Sequence, residues 1–240
     1  MTEARAADGL TAQRTGTARR ERRVLILVLS LAIPVAVALF LCLPNVGPFF
    51  RTFSIPSGSM MPTLPIGSQI MVSRASYGYS RFSFDLFELP IRGRWPALMP
   101  QRGDVLVFRR PHDRRIFQVN RVVGLPGDKV QMKNGRLWLN GALVPREPAA
   151  KTTLGPSEAK REVETYIERI AEGVIYRIIE AEGDNGPADN TQEFVVPEGH
   201  LFVLGDNRDN SVDSRFQRPG WGGVGFVPIE LVIGRVVATF

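Results

Sequence analysis

One cysteine and two histidines among 240 residues leave little material for disulfide or soft-metal chemistry. Cys42 stands alone inside an apolar run, which excludes both a disulfide framework and a thiolate metal site. His112 and His200 are far apart and lack the i, i+4 relation of a helical ligand pair, so no metal and no other cofactor is expected. Basic stripes interleaved with aromatics are also missing. Arg5, Arg14, Arg19, Arg20, Arg22 and Arg23, set against Glu3, Asp8 and Glu21, supply half of the net charge of +6, and the remainder of the chain is nearly balanced. Nucleic acid is therefore excluded as a partner. No internal repeat is present.

What the chain does have is one long uncharged run, Val24 to Val46 (VLILVLSLAIPVAVALFLCLPNV). At 1.5 Å per residue it is long enough for the roughly 30 Å hydrocarbon core of a bilayer, and it predicts a transmembrane helix in which Pro34 is tolerable. The arginines at 19–23 precede the run, so the positive-inside rule makes 1–23 a basic cytoplasmic N-terminus and puts 47–240 outside. A cleaved secretory signal is the rival reading. Against it, the run exceeds the usual 7–15 apolar residues, and no small-x-small site precedes Pro44, Pro48 and Phe49-Phe50.

Beyond the run, Ile70–Val72, Val105–Phe108 and Phe117–Val123 are short Val/Ile/Phe-rich stretches punctuated by Gly, Pro and Asn, an all-β pattern. Asn134-Gly135 and Asn140-Gly141 supply the positive φ of tight hairpin turns and predict a meander between Val130 and Leu143. From 145 to 193 the pattern weakens into a variable insertion. Pro145 to Ala159 is polar and proline-rich, Val163–Ile170 and Val174–Ile179 suit a pair of strands, and 158–170 suits a short helix equally well. The fold class is mainly β: a β-rich domain after an N-terminal transmembrane helix.

Four segments carry chemistry. Ser57-Gly58-Ser59-Met60-Met61-Pro62 lies about a dozen residues beyond the apolar run, a reach of at most about 40 Å, so Ser59 is expected beside the membrane. Gly58 lets the backbone pass close to a bound carbonyl, and Ser57 can place a hydroxyl beside that of Ser59. The second segment, Arg102-Gly103-Asp104 leading into Val105–Phe108, is a turn into a strand. The third, Asn120-Arg121-Val122-Val123-Gly124-Leu125-Pro126-Gly127-Asp128, ends a buried strand in a sharp turn. The fourth, Gly205 to Arg215, is rich in oxygen ligands, but it lacks the glycine at the sixth position and the closing glutamate of a calcium loop.

In this order, and after an apolar N-terminal run, the four segments resemble type I signal peptidase, the bacterial leader peptidase of the Ser/Lys class. The resemblance implies a β-rich serine endopeptidase that needs no cofactor and cleaves signal peptides from exported preproteins after small residues (Ala-x-Ala). It also implies a place on the outer, periplasmic face of the inner membrane, with signal peptides, the lipid bilayer and the secretion translocon as partners. Residue by residue, Ser59 matches the nucleophile, and Ser57 matches the hydroxyl that forms the oxyanion hole with the Ser59 N–H. Phe53, Ile55, Pro56, Met60, Leu64 and Val119 match the pockets for small side chains. Ser211, Asp213 and Arg215 match the residues that hold the base, and Arg121 and Asp206 match a bracing ion pair.

One position departs from the pattern. The family's general-base lysine falls at Asn120, and a carboxamide cannot take the proton of Ser59. Lys129 lies beyond the Pro126-Gly127 turn, His112 belongs to a hairpin tip facing water, and Asp213 is the nearest substitute base. The alternative to an active peptidase is a catalytically weak or inactive signal-peptide-binding pseudo-peptidase. A self-cleaving repressor-type Ser/Lys protease fits poorly, because no DNA-binding helical module is present.

Overall fold

The computed structural model describes residues 22, 25–39, 48–84, 88–155, 161–170, 173–184, 186–217 and 222–240. The chain divides into two units, Met1–Pro48 and Phe49–Phe240. In the first, residues 25–39 are helical and fall within the predicted span, while 24 and 40–46 and the residues 1–21 lie outside the described residues. Among the described residues no helix is long and apolar enough to cross a membrane.

The second unit is built of strands: β1 (Phe50–Ser54), β2 (Gln69–Ser73), β3 (Tyr79–Ser80), β4 (Arg94–Trp95), β5 (Val105–Arg109), β6 (Phe117–Gly124), β7 (Lys129–Lys133), β8 (Arg136–Leu139), β9 (Ala142–Leu143), β10 (Arg146–Leu154), β11 (Arg161–Arg169), β12 (Ile175–Glu180), β13 (Phe194–Val195), β14 (His200–Leu204), β15 (Val227–Pro228) and β16 (Val232–Thr239). The largest sheet runs in the order β1-β2-β16-β5-β6-β14-β15, beside sheets β13-β7-β8-β9, β10-β11-β12 and β3-β4.

Successive side chains of β6 enter different cores, as the two-residue period of a strand buried on both faces requires. Val122 packs with Leu106, Phe108, Leu201, Val203 and Val232, whereas Val123 joins Val130, Met132, Phe202 and Leu204. The predicted meander is present as β7-β8-β9. Its turns put Asn134 and Asn140 at φ 47° and 52°, each followed by a glycine at positive φ, the geometry of type I′ hairpins.

The middle of the chain corrects one expectation. Instead of an irregular segment from Pro145, β10 occupies Arg146–Leu154 and pairs with β11 alone, with a register shift between Ala149 and Thr152. An edge strand keeps polar side chains in water and tolerates Pro148, which is why composition concealed it. The helical alternative for 158–170 is replaced over the described residues by β11, which is paired on both sides with β10 and β12.

The turn after β6 is locked by Asp128. Its carboxylate accepts hydrogen bonds from Arg102 Nε and Nη2, from Asn140 Nδ2 and from the Leu125 N–H. Burial acts to raise this carboxyl, but the Arg102 guanidinium and the other donors outweigh it and hold the group below its ordinary range. A depressed carboxylate contributes stability above its unfolded value of about 3.9, and that contribution is lost as pH falls through the folded value. Asp128→Asn is expected to cost about 1–2 kcal/mol at neutral pH. Urea melts should show the difference from the parent shrinking below about pH 4.

Candidate active site

After β1 the chain makes a tight turn, with the Met61 N–H donating to Gly58 O at 3.1 Å and the Leu64 N–H to Met60 O at 2.9 Å. This turn drops Met60 and Leu64 into a core with Ile55, Ile70, Val72, Val107 and Ile233. Ser59 is half-buried and Ser57 exposed, and their hydroxyl oxygens stand 3.4 Å apart. Among the described residues that is the one hydrogen bond of Ser59 Oγ. From the opposite side Asn207 clamps the turn, its N–H donating to Ser59 O and its Nδ2 to Gly58 O, both at 3.0 Å. A Cβ at Gly58 would meet nothing nearer than 3.4 Å, so packing alone does not demand glycine there.

A cavity of about 120 Å³ opens beside Ser59 and Ser57. Phe53, Ile55, Pro56 and Val119 line it. Met60 and Leu64, expected in the same wall, are not among its lining residues and lie in the core beneath, because the turn at Gly58 points them inward. Ile70, Val107, Phe117 and Gln118 line it instead. Phe117 lies 5.2 Å from Phe53 between ring centroids.

Asn120 is fully buried on β6. Gln118, two residues earlier and so on the same face, donates Nε2 to Asn120 Oδ1 at 2.8 Å and to Val212 O at 2.6 Å. Asn120 Nδ2 reaches Ser211 Oγ at 3.5 Å, which ties the carboxamide into a neutral network. Asp213 offers no spare lone pair to Ser59, since its carboxylate accepts from the Gly205 N–H and from Arg215 N, Nε and Nη2. His112 and Lys129 are exposed, and Lys129 faces Glu193 at 3.6 Å.

Arg121, the residue after Asn120, points to the other face and makes a two-pronged ion pair with Asp206 (Nε–Oδ1 2.8 Å, Nη2–Oδ2 2.6 Å). Thr63 Oγ1 donates to the same carboxylate, so the pair links the serine turn to β6 and to the loop at 205–215. Burial works against the charged form of Arg121, yet the Asp206 carboxylate outweighs it and raises the guanidinium's affinity for its proton. A Cβ at Gly205 would sit 2.2 Å from Ser211 Oγ and 2.7 Å from Ser59 O. Only glycine lets these two segments close together there.

Behind the loop lies a contact that motif reading missed. Arg208 is almost completely buried and pairs with Glu168 of β11, whose Oε2 also accepts from Tyr176 of β12 at 2.9 Å. Burial opposes charge on Arg208, but Glu168 more than offsets it and raises the guanidinium's affinity for its proton. Arg208 donates Nε to Gly205 O, and Arg215 donates Nη2 to Arg208 O. The middle segment thus underpins the loop that carries Ser211. Arg208 lies inside the fourth motif; Glu168 had no local signal.

Residues 24–240 match the family described as signal peptidase, peptidase S26. The signal peptidase I of Rickettsia bellii (strain OSU 85-389) is 35% identical over 192 residues, covering 77% of this chain and 63% of that protein. The signal peptidase I of Pseudomonas aeruginosa is 36% identical over 212 residues, covering 84% and 68%. A crystal structure of a signal peptidase I from Enterococcus faecalis V583 is 26% identical, covering 58% of this chain and 97% of that one, with a TM-score of 0.33. The chain belongs to the signal peptidase S26 family, and its match spans a little under two thirds of the Rickettsia relative's length.

Proposed function

We propose that this chain is a serine endopeptidase of the signal peptidase I type, anchored by residues 24–46 and acting on signal peptides at the outer face of the inner membrane. Ser59 Oγ attacks the carbonyl after a small residue. The Ser57 hydroxyl and the Ser59 N–H face the oxyanion that forms, collapse of the tetrahedral species expels the amine of the mature protein with a proton taken up, and water then hydrolyses the Ser59 ester to release the signal peptide. The observation that carries the reading is the two hydroxyls 3.4 Å apart at the mouth of a 120 Å³ apolar cavity. Its lining of Phe53, Ile55, Pro56, Val107, Phe117 and Val119 suits an apolar side chain beside the serine.

A second reading, a signal-peptide-binding pseudo-peptidase, is favoured by Asn120 alone. Its carboxamide hydrogen-bonds Gln118 and Ser211, and among the described residues no side-chain base is hydrogen-bonded to Ser59 Oγ. The proton must then leave to water, and turnover is expected to be slow. To separate the readings, the detergent-solubilised full chain is incubated with a preprotein carrying an Ala-x-Ala site, and the products are weighed by mass spectrometry. Slow cleavage after the small residue, abolished by Ser59→Ala, supports the peptidase. Saturable binding of signal peptide without Ser59-dependent cleavage supports the second reading, and cleavage insensitive to Ser59→Ala rejects the assignment of the nucleophile.

A further inference from the structure

Away from the serine turn, Glu180 at the end of β12, Asp189 in the turn before β13 and Asp209 in the loop before Ser211 bring one carboxylate oxygen each to within 4.8 Å of one another. Glu180 and Asp189 are 1% and 0% exposed. Both oxygens of Glu180 and Oδ1 of Asp189 have no hydrogen-bond partner. Buried carboxylate oxygens are almost always paired, and several left unpaired at one point call for a cation or a proton between them.

Among the described residues no arginine donates a hydrogen bond to Glu180 or to Asp189 Oδ1, and the arginines nearby each pair with another carboxylate. Arg208 is committed to Glu168, Arg215 to Asp213 and Arg146 to Asp184. Arg146 comes within 3.5 Å of Glu180 Oε1 but spends its hydrogen bonds on Asp184 and Gly135 O. Asp189 Oδ2 accepts from the Gly186 N–H, and Asp209 Oδ2 from the Glu182 N–H, which aims their remaining oxygens. At Gly186 a Cβ would sit 2.5 Å from Asp209 Oδ1 and 3.2 Å from Asp189 Oδ2, so the backbone closes on the cluster where any side chain would intrude.

We propose that Glu180, Asp189 and Asp209 form a divalent-cation site suited to Ca²⁺. The donors are hard oxygens, and oxygens no more than 4.8 Å apart leave a central point within about 2.8 Å of each, a few tenths of an ångström from the roughly 2.3–2.6 Å of Ca²⁺–O bonds. Mg²⁺ binds at shorter distances and keeps several waters, for which the buried Glu180 and Asp189 leave little room. Burial, with Asp209 and Asp189 adding to it against the opposing Arg208, pushes the Glu180 carboxyl up to about 8. A bound cation would fasten β12 and the turn at 186–189 to the loop that carries Ser211. The ligands come from three separate segments, so the site is unrelated to a single-loop calcium motif.

The test uses the detergent-solubilised full chain after EDTA dialysis, titrated with CaCl₂ and separately with MgCl₂ by calorimetry, with thermal melts in parallel. One saturable Ca²⁺ site is expected, with a melting temperature that climbs with Ca²⁺ as mass action requires and weaker binding of Mg²⁺. Asp189→Asn and Glu180→Gln should each weaken Ca²⁺ at least about tenfold, because site charge tunes affinity. Asp209→Asn, at a half-exposed position, supplies a third variant if either buried one fails to melt cooperatively in EDTA. Absence of saturable Ca²⁺ binding to the parent up to about 10 mM, beyond the weak end of such sites, would overturn the proposal. So would undiminished binding in the folded variants, or equal binding of Mg²⁺. The readout is binding, so it stands or falls independently of peptidase activity.

Discussion

Asn120→Lys is expected to raise Ser59-dependent cleavage of an Ala-x-Ala preprotein by about 10²- to 10⁴-fold, the usual worth of a general base. The parent holds a fully buried carboxamide between Gln118 and Ser211, where it can hydrogen-bond but cannot accept the Ser59 proton. A lysine from the same backbone position carries an amine further along the same face. Burial disfavours its ammonium form and brings its pKa down toward neutrality. Gln118 loses one acceptor in the exchange but keeps Val212 O, so little of the surrounding network is disturbed. The rate in the lysine variant should climb with pH as the amine deprotonates, and the parent should lack that limb. The comparison is kcat/KM against pH for the parent, Asn120→Lys, and Asn120→Lys combined with Ser59→Ala. A lysine variant no faster than the parent would place the reacting centre elsewhere.

Arg208→Met is expected to destabilise the protein by about 3–5 kcal/mol, because it leaves the Glu168 carboxylate buried without its partner. Glu168 and Arg208 are each 1% exposed, so water cannot take over. Tyr176 keeps its bond to Glu168 Oε2, but one neutral donor does not replace a guanidinium that meets both carboxylate oxygens. The double variant Arg208→Met, Glu168→Leu removes both charges and should recover most of the loss, since the isolated charge and not the missing attraction carries the penalty. Urea denaturation of the two single variants and the double variant gives the coupling energy directly. A loss below about 1 kcal/mol in Arg208→Met would mean that Glu168 escapes its charge by taking up a proton.

What the sequence disclosed and what it hid divide along chain separation. The Asn-Gly turns at 134 and 140 were readable because a positive φ leaves its mark on the two residues that adopt it. The serine turn carries no such local mark, since Gly58 is not at positive φ, and only its order with the three later segments singles it out. β10 was hidden because an edge strand needs no apolar face. Met60 and Leu64 were placed in the pocket by the resemblance, and here they pack into the core with Ile55, Ile70 and Val107. Glu168 opposite Arg208 and the meeting of Glu180 with Asp189 and Asp209 had no local trace, since each depends on β11 and β12 docking against a loop that follows much later in the chain.

The position of β16 also bears on how the protein comes to exist. Residues 232–239 lie between β2 and β5, with Val236 opposite Val72 and Arg235 opposite Leu106. At Gly234 a Cβ would fall 2.1 Å from Ser73 O, so the fit there is intimate. Until this strand has been synthesised, β2 and β5 present unsatisfied edges, and the serine turn after β1 has no continuous sheet joining it to the Asn120 strand. Such long-range pairing is slow to form. Ordered assembly of the Ser59 neighbourhood is thereby deferred until the last strand of the large sheet has been made.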